Sequence, residues 1–120
     1  MARFTEAQWQ RLLALLDRQE ARAQRQLTAL RADTKPVVRE APIEYAELAD
    51  QEASDLTNDV MLAHYRGELD QIDAARERMH EHRYGICINC GELIPFLRLQ
   101  AQPTALRCLT CEGVHERKRA

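Results

Sequence analysis

The chain of 120 residues contains few aromatic residues, glycines or prolines: aromatics make up 5%, and there are four residues each of Gly and Pro. This scarcity accompanies a charged fraction of 30%, and the combination favours long helices over a compact globule. No apolar run approaches the ~20 residues of a transmembrane helix, so we expect no membrane span. The N-terminal stretch MARFTEAQWQ also lacks an apolar run of signal-peptide length. We therefore expect a cytoplasmic chain with reduced cysteines.

The sequence also lacks the residue patterns of an enzyme and the charge of a DNA-backbone binder. It contains no nucleophile–base pair, no glycine-rich phosphate loop and no paired carboxylates in a recognisable pocket, so we expect no catalysis by this chain. Seventeen Lys and Arg residues against nineteen Asp and Glu give a formal net charge of −2. This sign argues against a protein that binds mainly to the phosphate backbone of DNA.

All four cysteines lie within residues 84–111, the stretch YGICINCGELIPFLRLQAQPTALRCLTC. Cys87 and Cys90 form one C-x-x-C pair, and Cys108 and Cys111 form another. The 17 residues between the pairs fall within the spacing typical of a four-cysteine zinc site. Because four thiolates fill every corner of a tetrahedral Zn²⁺ ion, the pattern predicts a structural ion and not a catalytic one with an open position.

Two other uses of the cysteines remain open from the residues. The same four thiols could form two disulfides, and a single C-x-x-C could be a redox pair. A reducing compartment argues against the disulfides, and the absence of a βαβ pattern argues against the redox pair. The residues around the first pair suit a C-x-x-C turn, because Gly91 follows Cys90 directly and can take a positive φ at no steric cost.

Residues 5–32 are predicted to form the first helix. Thr5 and Gln8 fit the pattern of a capping box, and Phe4 can pack against Trp9 as a hydrophobic staple. Apolar residues recur at spacings of three, four and seven, which predicts one packing stripe along the helix. The stripe comprises Trp9, Leu12, Leu13, Leu16, Ala23, Leu27 and Leu30.

Residues 43–82 are predicted to form the second helix, after a linker at 33–43 whose two prolines disfavour helix. The apolar residues of the second helix follow the three–four alternation of a coiled-coil seam. Two such helices joined by a short linker should pack antiparallel. His64 and His80 lie off the seam and are interpreted as surface residues. The seam comprises Leu62, Tyr65, Leu69, Ile72 and Met79.

The expected tip of the hairpin, about residues 33–50, carries the linker and the acidic start of the second helix. From Glu40 to Asp59 the chain contains seven acidic residues and no Lys or Arg. The helix macrodipole favours carboxylates in the first turn only, and this run continues for several turns. The run therefore requires an explanation beyond the start of a helix.

The expected fold class is mainly α: a long antiparallel helical hairpin, or coiled coil, followed by a small four-cysteine zinc-finger module and a short C-terminal helix. We place the hairpin in residues 1–82 and the zinc-finger module in residues 83–120. The C-terminal helix is expected in EGVHERKRA, after Cys111, where the basic residues suit a helix C-terminus.

Residues 84–111 resemble the DksA/TraR family of bacterial transcription regulators. They fit the patterns YG-x-C-x-x-CG-x-x-I and RL-x-A-x-PTA-x-x-C-x-x-C, while the hairpin is similar in pattern and length. The resemblance implies a protein that inserts its coiled-coil tip into the secondary channel of RNA polymerase without reading promoter DNA sequence. The matching residues between the two pairs are Arg98, Leu99, Ala101, Pro103, Thr104 and Ala105.

The family's tip carries an Asp-x-x-Asp-x-Ala motif. An ungapped count back from the first cysteine places Glu44, Glu47 and Ala49 at that motif, so both aspartates are glutamates here. The resemblance therefore implies a tip that contacts polymerase through these three residues. Each of its carboxylates extends one methylene further than in the family motif.

Some members of the family respond to the nucleotide alarmone ppGpp through basic residues. The matching positions here are His64, Gln71 and Glu112. Because these are poor phosphate ligands beside Arg or Lys, we expect little dependence on ppGpp. The expected partner is RNA polymerase, and the chain is expected to be a monomer.

Two other classes of function remain open. A zinc-ribbon nucleic-acid-binding module would use Arg83, Arg98, Arg107 and the basic C-terminus, and its binding would fall steeply with salt. A structural adaptor would dimerise through the coiled coil, and its mass would depend on concentration.

Overall fold

The computed structural model describes residues 4–33 and 45–119, with the side chains of residues 32–33 and 45–51 left out. The expectation of a mainly helical chain is confirmed. In these residues the only β pairing is an isolated antiparallel bridge between Ile86 and Leu93. The helices are α1 (Glu6–Asp33), α2 (Tyr45–His80), α3 (Phe96–Ala101) and α4 (Leu109–Arg119).

Local side-chain chemistry fixes the start of α1, as the sequence predicts. The backbone N–H of Gln8 donates to Oγ1 of Thr5 at 3.1 Å, and the backbone N–H of Thr5 donates to Oε1 of Gln8 at 3.0 Å. These two bonds form the capping box. The rings of Phe4 and Trp9 stack with centroids 6.1 Å apart, which completes the hydrophobic staple.

The C-terminus of α2 lies two residues before the predicted end at residue 82. His82 has a φ of 61°, the left-handed conformation that ends a helix. The backbone N–H of Arg83 donates to the carbonyl of Arg78 at 2.8 Å, and that of His82 donates to the carbonyl of Met79 at 3.2 Å. This pair of bonds is a Schellman motif with histidine where glycine is usual, so no glycine marks the stop in the sequence.

The chain divides into two compact units, one of Met1–Gln19 with Gln71–Ala120 and the other of Glu20–Asp70. The division at residues 82 and 83 that the sequence suggests stays a prediction. None of the helices in the described ranges combines the length and the apolar composition that a membrane span requires.

In the first unit, the start of α1 packs antiparallel to the end of α2. The rings of Trp9 and Tyr84 meet edge to face at 6.0 Å. Eight residues further along α1, Oδ1 of Asp17 lies 2.7 Å from Nη2 of Arg76 in a salt bridge. Arg76 lies eight residues before Tyr84. Contacts that advance along one element and retreat along the other define antiparallel packing. The fully buried side chains here include Leu12, Leu16, Ile72 and Ala75.

The second unit contains the remainder of both helices and has a thinner core. Ala23 and Leu27 are buried on α1, whereas Leu62, Tyr65 and Leu69 are half-buried on α2. These residues belong to the stripe and the seam that the sequence predicts. The predicted histidines outside the seam, His64 and His80, are both exposed.

Two details of the C-terminal part differ from the sequence expectation. The six-residue α3, which begins after Pro95, was not anticipated. The last helix starts at Leu109 and not after Cys111, because the backbone N–H of Glu112 already donates to the carbonyl of Cys108 at 2.9 Å. The fourth cysteine therefore lies in the first turn of α4.

Candidate metal centre

The four cysteines converge on one point in the first unit. Their sulfur atoms all lie within 4.8 Å of one another, and Sγ of Cys90 is 3.9 Å from Sγ of Cys108. A tetrahedral Zn²⁺ with Zn–S bonds of about 2.3 Å holds its sulfurs about 3.8 Å apart. The donor set and its spacing therefore fit one zinc ion, with Cys87 buried and Cys90 exposed.

A tight turn positions the first pair of sulfurs. The backbone N–H of Gly91 donates to the carbonyl of Cys87 at 3.0 Å, and Gly91 has a φ of 75°, which confirms the expected positive value. The backbone N–H of Cys87 donates to the carbonyl of Glu92 at 2.8 Å. The chain thus folds back on itself around the ligand pair.

Backbone and side-chain hydrogen bonds tie the second pair to the first. The backbone N–H of Ile88 donates to the carbonyl of Leu106 at 3.0 Å. Nε of Arg98 donates to the carbonyl of Arg107 at 2.9 Å, just before Cys108. Such outer contacts hold ligands in position before a metal arrives.

The thiols differ in their readiness to ionise. Burial opposes ionisation of Cys87, but backbone N–H groups of Cys90, Cys108 and Asn89 donate to its sulfur and lower its pKa to about 6. Hydrogen bonds with the thiols of Cys108 and Cys87 hold the proton on Cys111 and raise its pKa to about 12. Four thiolates this close repel one another, so their full ionisation requires a divalent cation among them.

An aromatic cluster joins the metal centre to the start of α1. The ring centroid of Phe4 lies 6.4 Å from that of Tyr84 and 6.5 Å from that of Phe96. The hydroxyl of Tyr84 is buried and donates to the carbonyl of Pro103 at 2.8 Å. Tyr84 therefore links the start of α1 with the segment that carries the second cysteine pair.

Comparison with known proteins identifies the family. The model of the prokaryotic dksA/traR C4-type zinc finger matches residues 82–117. Transcription factor DksA2 from Pseudomonas aeruginosa has a similar structure, with a TM-score of 0.68 and 31% identity over 95% of this chain and 87% of that one. The chain belongs to the DksA/TraR family. Its expected fold class, a helical hairpin followed by a four-cysteine zinc-finger module, is confirmed, and its cysteines bind Zn²⁺ as in the family's C4-type finger.

Curated relatives match a shorter part of the chain. The RNA polymerase-binding transcription factor DksA of Caulobacter vibrioides is 34% identical over 77 residues, which are 62% of this chain and 54% of that protein. An uncharacterized protein of Aquifex aeolicus is 44% identical over 50 residues, 42% of this chain and 34% of that protein. The chain thus spans about half the length, or less, of these curated relatives.

The residues expected at the polymerase-contacting tip lie wholly or partly outside what the structure describes. Glu44 lies outside the described residues. The backbone of Glu47 and Ala49 belongs to α2, but their side chains are not among those that the structure describes. The tip assignment therefore stays a prediction.

The structure also places the positions that the family resemblance connects with ppGpp. His64 is exposed, with its ring edge-on to Tyr65 at 5.0 Å, and Gln71 is exposed. Glu112 is half-buried, and its Oε2 lies 3.5 Å from Nη1 of Arg107.

Sequence reasoning missed the residues that support the metal centre. Tyr84 carries no ligand spacing, and Arg98 was considered only as a nucleic-acid contact or as part of the family pattern. The family patterns YG-x-C and RL-x-A-x-PTA were the available signals, since Tyr84, Leu99 and Thr104 are buried and the Arg98 side chain bonds the backbone beside Cys108.

Proposed function

We propose that this chain is a transcription regulator that binds RNA polymerase and inserts the tip of its helical hairpin into the secondary channel of that enzyme. The observation that carries the proposal is the structural match to transcription factor DksA2 over 95% of this chain. The name of the Caulobacter vibrioides relative, RNA polymerase-binding transcription factor, supplies the partner. The site of action is the bacterial cytoplasm, and the chain regulates transcription without catalysing a reaction.

Glu44, Glu47 and Ala49 are the proposed polymerase contacts at the tip. The two glutamates are three residues apart in the sequence, which is the spacing of neighbours on one face of a helix. The small side chain of Ala49 lets this end of the hairpin approach a crowded surface. A helix is about 10 Å wide, so a two-helix hairpin can enter a channel that excludes a globular domain.

The mechanism is steric and electrostatic. Carboxylates at the tip arrive near the catalytic Mg²⁺ and the mobile elements of the polymerase, and they change the relative stability of its conformations. The zinc centre and the aromatic cluster of Phe4, Trp9 and Tyr84 hold the other end of the hairpin together. Regulation is therefore assigned to the tip, and binding to the rest of the hairpin.

We propose further that this action depends little on ppGpp. A nucleotide with several phosphate groups requires several cations. Glu112 adds a negative charge instead, and the Arg107 guanidinium beside it already has that carboxylate as a partner. Exposed His64 and Gln71 provide no permanent positive charge.

Transcription in vitro tests the proposal, with core polymerase binding measured in parallel. Wild-type protein should bind polymerase and alter initiation at a ribosomal-type promoter, with or without ppGpp. The Glu44→Ala/Glu47→Ala variant should bind but no longer regulate. The matched control is Asp70→Ala/Asp73→Ala, two exposed carboxylates on α2 with the same spacing, which should behave as wild type.

Three results would count against separate parts of the proposal. Absence of polymerase binding by the wild type overturns the function itself. Full regulation by the tip variant overturns the assignment of Glu44 and Glu47. A many-fold enhancement by ppGpp, beyond its effect on polymerase alone, overturns the independence from ppGpp.

A further inference from the structure

The outward face of α2 in the second unit carries two large, exposed aliphatic side chains. Leu56 is 66% exposed and Val60 is 61% exposed. They lie four residues apart, so they are neighbours on one face of the helix. With 3.6 residues per turn, this face is on the opposite side of α2 from the half-buried seam residues Leu62, Tyr65 and Leu69. Packing against α1 therefore does not account for them.

Three exposed carboxylates belong to the same two turns. Glu52 lies four residues before Leu56, and Asp55 and Asp59 directly precede Leu56 and Val60 in the chain. In the part of the chain that the structure describes, none of the three carboxylates takes part in an ion pair. We call these five residues, Glu52, Asp55, Leu56, Asp59 and Val60, the outer α2 face.

This composition is that of a protein-binding surface with a definite charge preference. Protein interfaces combine an apolar centre with a polar rim, and complementary charge selects the partner. The outer α2 face has an aliphatic centre and a rim of one sign, within a run from Glu40 to Asp59 that contains no Lys or Arg. Its partner should therefore present cations around an apolar pocket.

The same charges argue against other occupants. Nucleic acid and anionic membranes carry negative charge and would be repelled. A second copy of the chain, if it met this face through a twofold axis, would bring like carboxylates together. The occupant that these charges favour is therefore a basic protein surface.

We infer that the outer α2 face docks onto a basic, apolar-pocketed surface of RNA polymerase, an inference that rests on the proposed function. Enzymes that handle nucleic acids and nucleotides carry basic channels, which attract acidic partners. Leu56 lies nine residues beyond Glu47, or about 14 Å along the helix. The outer α2 face is therefore placed to contact the wall of a channel that the tip has entered, and it supplies affinity while the tip supplies regulation.

The test is competition binding of the full-length, zinc-loaded chain to core RNA polymerase at several salt concentrations. Leu56→Ala/Val60→Ala should weaken binding about tenfold or more, because truncating central interface residues costs the most. Glu52→Gln/Asp55→Asn/Asp59→Asn should also weaken binding and flatten its dependence on salt. Helical circular dichroism should stay unchanged for both variants, because all five side chains are exposed.

Two matched controls use exposed side chains outside the outer α2 face. Asp70→Asn/Asp73→Asn/Glu77→Gln removes three exposed carboxylates of α2 with similar spacing, and Leu97→Ala truncates a leucine that is 76% exposed. Both controls should bind polymerase as the wild type does.

The outcomes separate the inference from the function beneath it. If the wild type binds polymerase and both variants of the outer α2 face bind equally well, the inference is wrong and the proposed function stands. If the wild type does not bind polymerase, the function fails and the inference fails with it. A wild-type dimer that Leu56→Ala/Val60→Ala dissociates would identify a second copy as the occupant and overturn the polymerase assignment.

Discussion

Phe4 lies directly against the backbone of Gly85, two residues before the first zinc ligand. A Cβ atom placed on Gly85 would stand 2.9 Å from Cζ and 3.1 Å from Cε2 of the Phe4 ring. Gly85 also has a φ of 84°, which residues with a side chain rarely adopt. The backbone N–H of Ile94 donates to the carbonyl of Gly85 at 2.7 Å, so the chain has little freedom to move away. The start of α1 and the metal centre thus share a contact that only glycine permits.

We expect Gly85→Ala to lower the free energy of unfolding by about 2–4 kcal/mol, through the clash and the unfavourable φ. Adding Phe4→Ala should relieve the clash but not the backbone strain, so the double variant should lose less than the two single costs combined. Denaturant unfolding of the two single variants and the double variant measures these costs.

The control is Gly67→Ala, where no atom lies within 4 Å of the new Cβ. In the interior of α2 this control should stabilise the protein by about 0.5–1 kcal/mol. Strict additivity of Gly85→Ala and Phe4→Ala would contradict the contact.

We expect one zinc ion per chain, held by Cys87, Cys90, Cys108 and Cys111. Serine at any of these positions should lower the bound metal below one equivalent and destabilise the first unit, because structural zinc contributes directly to folding. Elemental analysis of purified protein gives the stoichiometry. Asn89→Ser is the matched control, since its side chain lies within the same C-x-x-C turn and is exposed.

The single tryptophan offers a second readout of metal binding. Trp9 contacts Tyr84 and stacks on Phe4 at the start of α1, so chelation of zinc should change its fluorescence as the cluster loosens. An unchanged Trp9 spectrum after complete zinc removal would show that the cluster holds without the metal.

We expect Ile72→Ala to destabilise the hairpin by about 2–5 kcal/mol, because Ile72 is fully buried and its truncation leaves a cavity. Leu69→Ala should cost less, about 1–2 kcal/mol, because Leu69 is only half-buried. Thermal or denaturant unfolding measures both, with exposed Leu97→Ala as the neutral reference. A larger cost at Leu69 than at Ile72 would mean that the register of α1 against α2 differs from that described.

We expect the protein to lose stability between about pH 10 and pH 12 through Tyr84. Burial raises the pKa of the Tyr84 hydroxyl to about 12, although the nearby Arg78 cation opposes the shift. Above the unfolded value of about 10, the unfolded chain has lost this proton and the folded chain retains it, so the free energy of unfolding falls as the pH rises. The loss amounts to about 2–3 kcal/mol and is absent below pH ~10.

Tyr84→Phe isolates this contribution. The variant should be less stable at neutral pH, because it loses the hydrogen bond to the carbonyl of Pro103, but it should lose less stability from pH ~10 to pH ~12 than the wild type. Parallel pH profiles for the two proteins would rule out Tyr84 as the titrating group.

Local sequence patterns determined the two long helices, α1 and α2, and the composition of the metal centre. The patterns for the helices are the Thr5–Gln8 capping box, the stripe from Trp9 to Leu30 and the seam of α2. Each depends on the spacing of residues that are near one another in the chain, and this spacing favours a helical backbone directly. The doubled C-x-x-C spacing likewise predicted four sulfurs around one ion, and the family pattern predicted the same module.

Only the tertiary structure decided how these parts end and join. The stop of α2 at His80 depends on His82 in a left-handed conformation, which a histidine does not signal in the sequence. The contact of Phe4 with Gly85, the hydrogen bond from Tyr84 to Pro103 and the exposure of Leu56 and Val60 each depend on where distant segments pack. Local patterns fix φ and ψ over one or two turns, whereas the last three of these features arise from side-chain packing between segments, and such packing depends on volumes and directions that spacing alone does not encode.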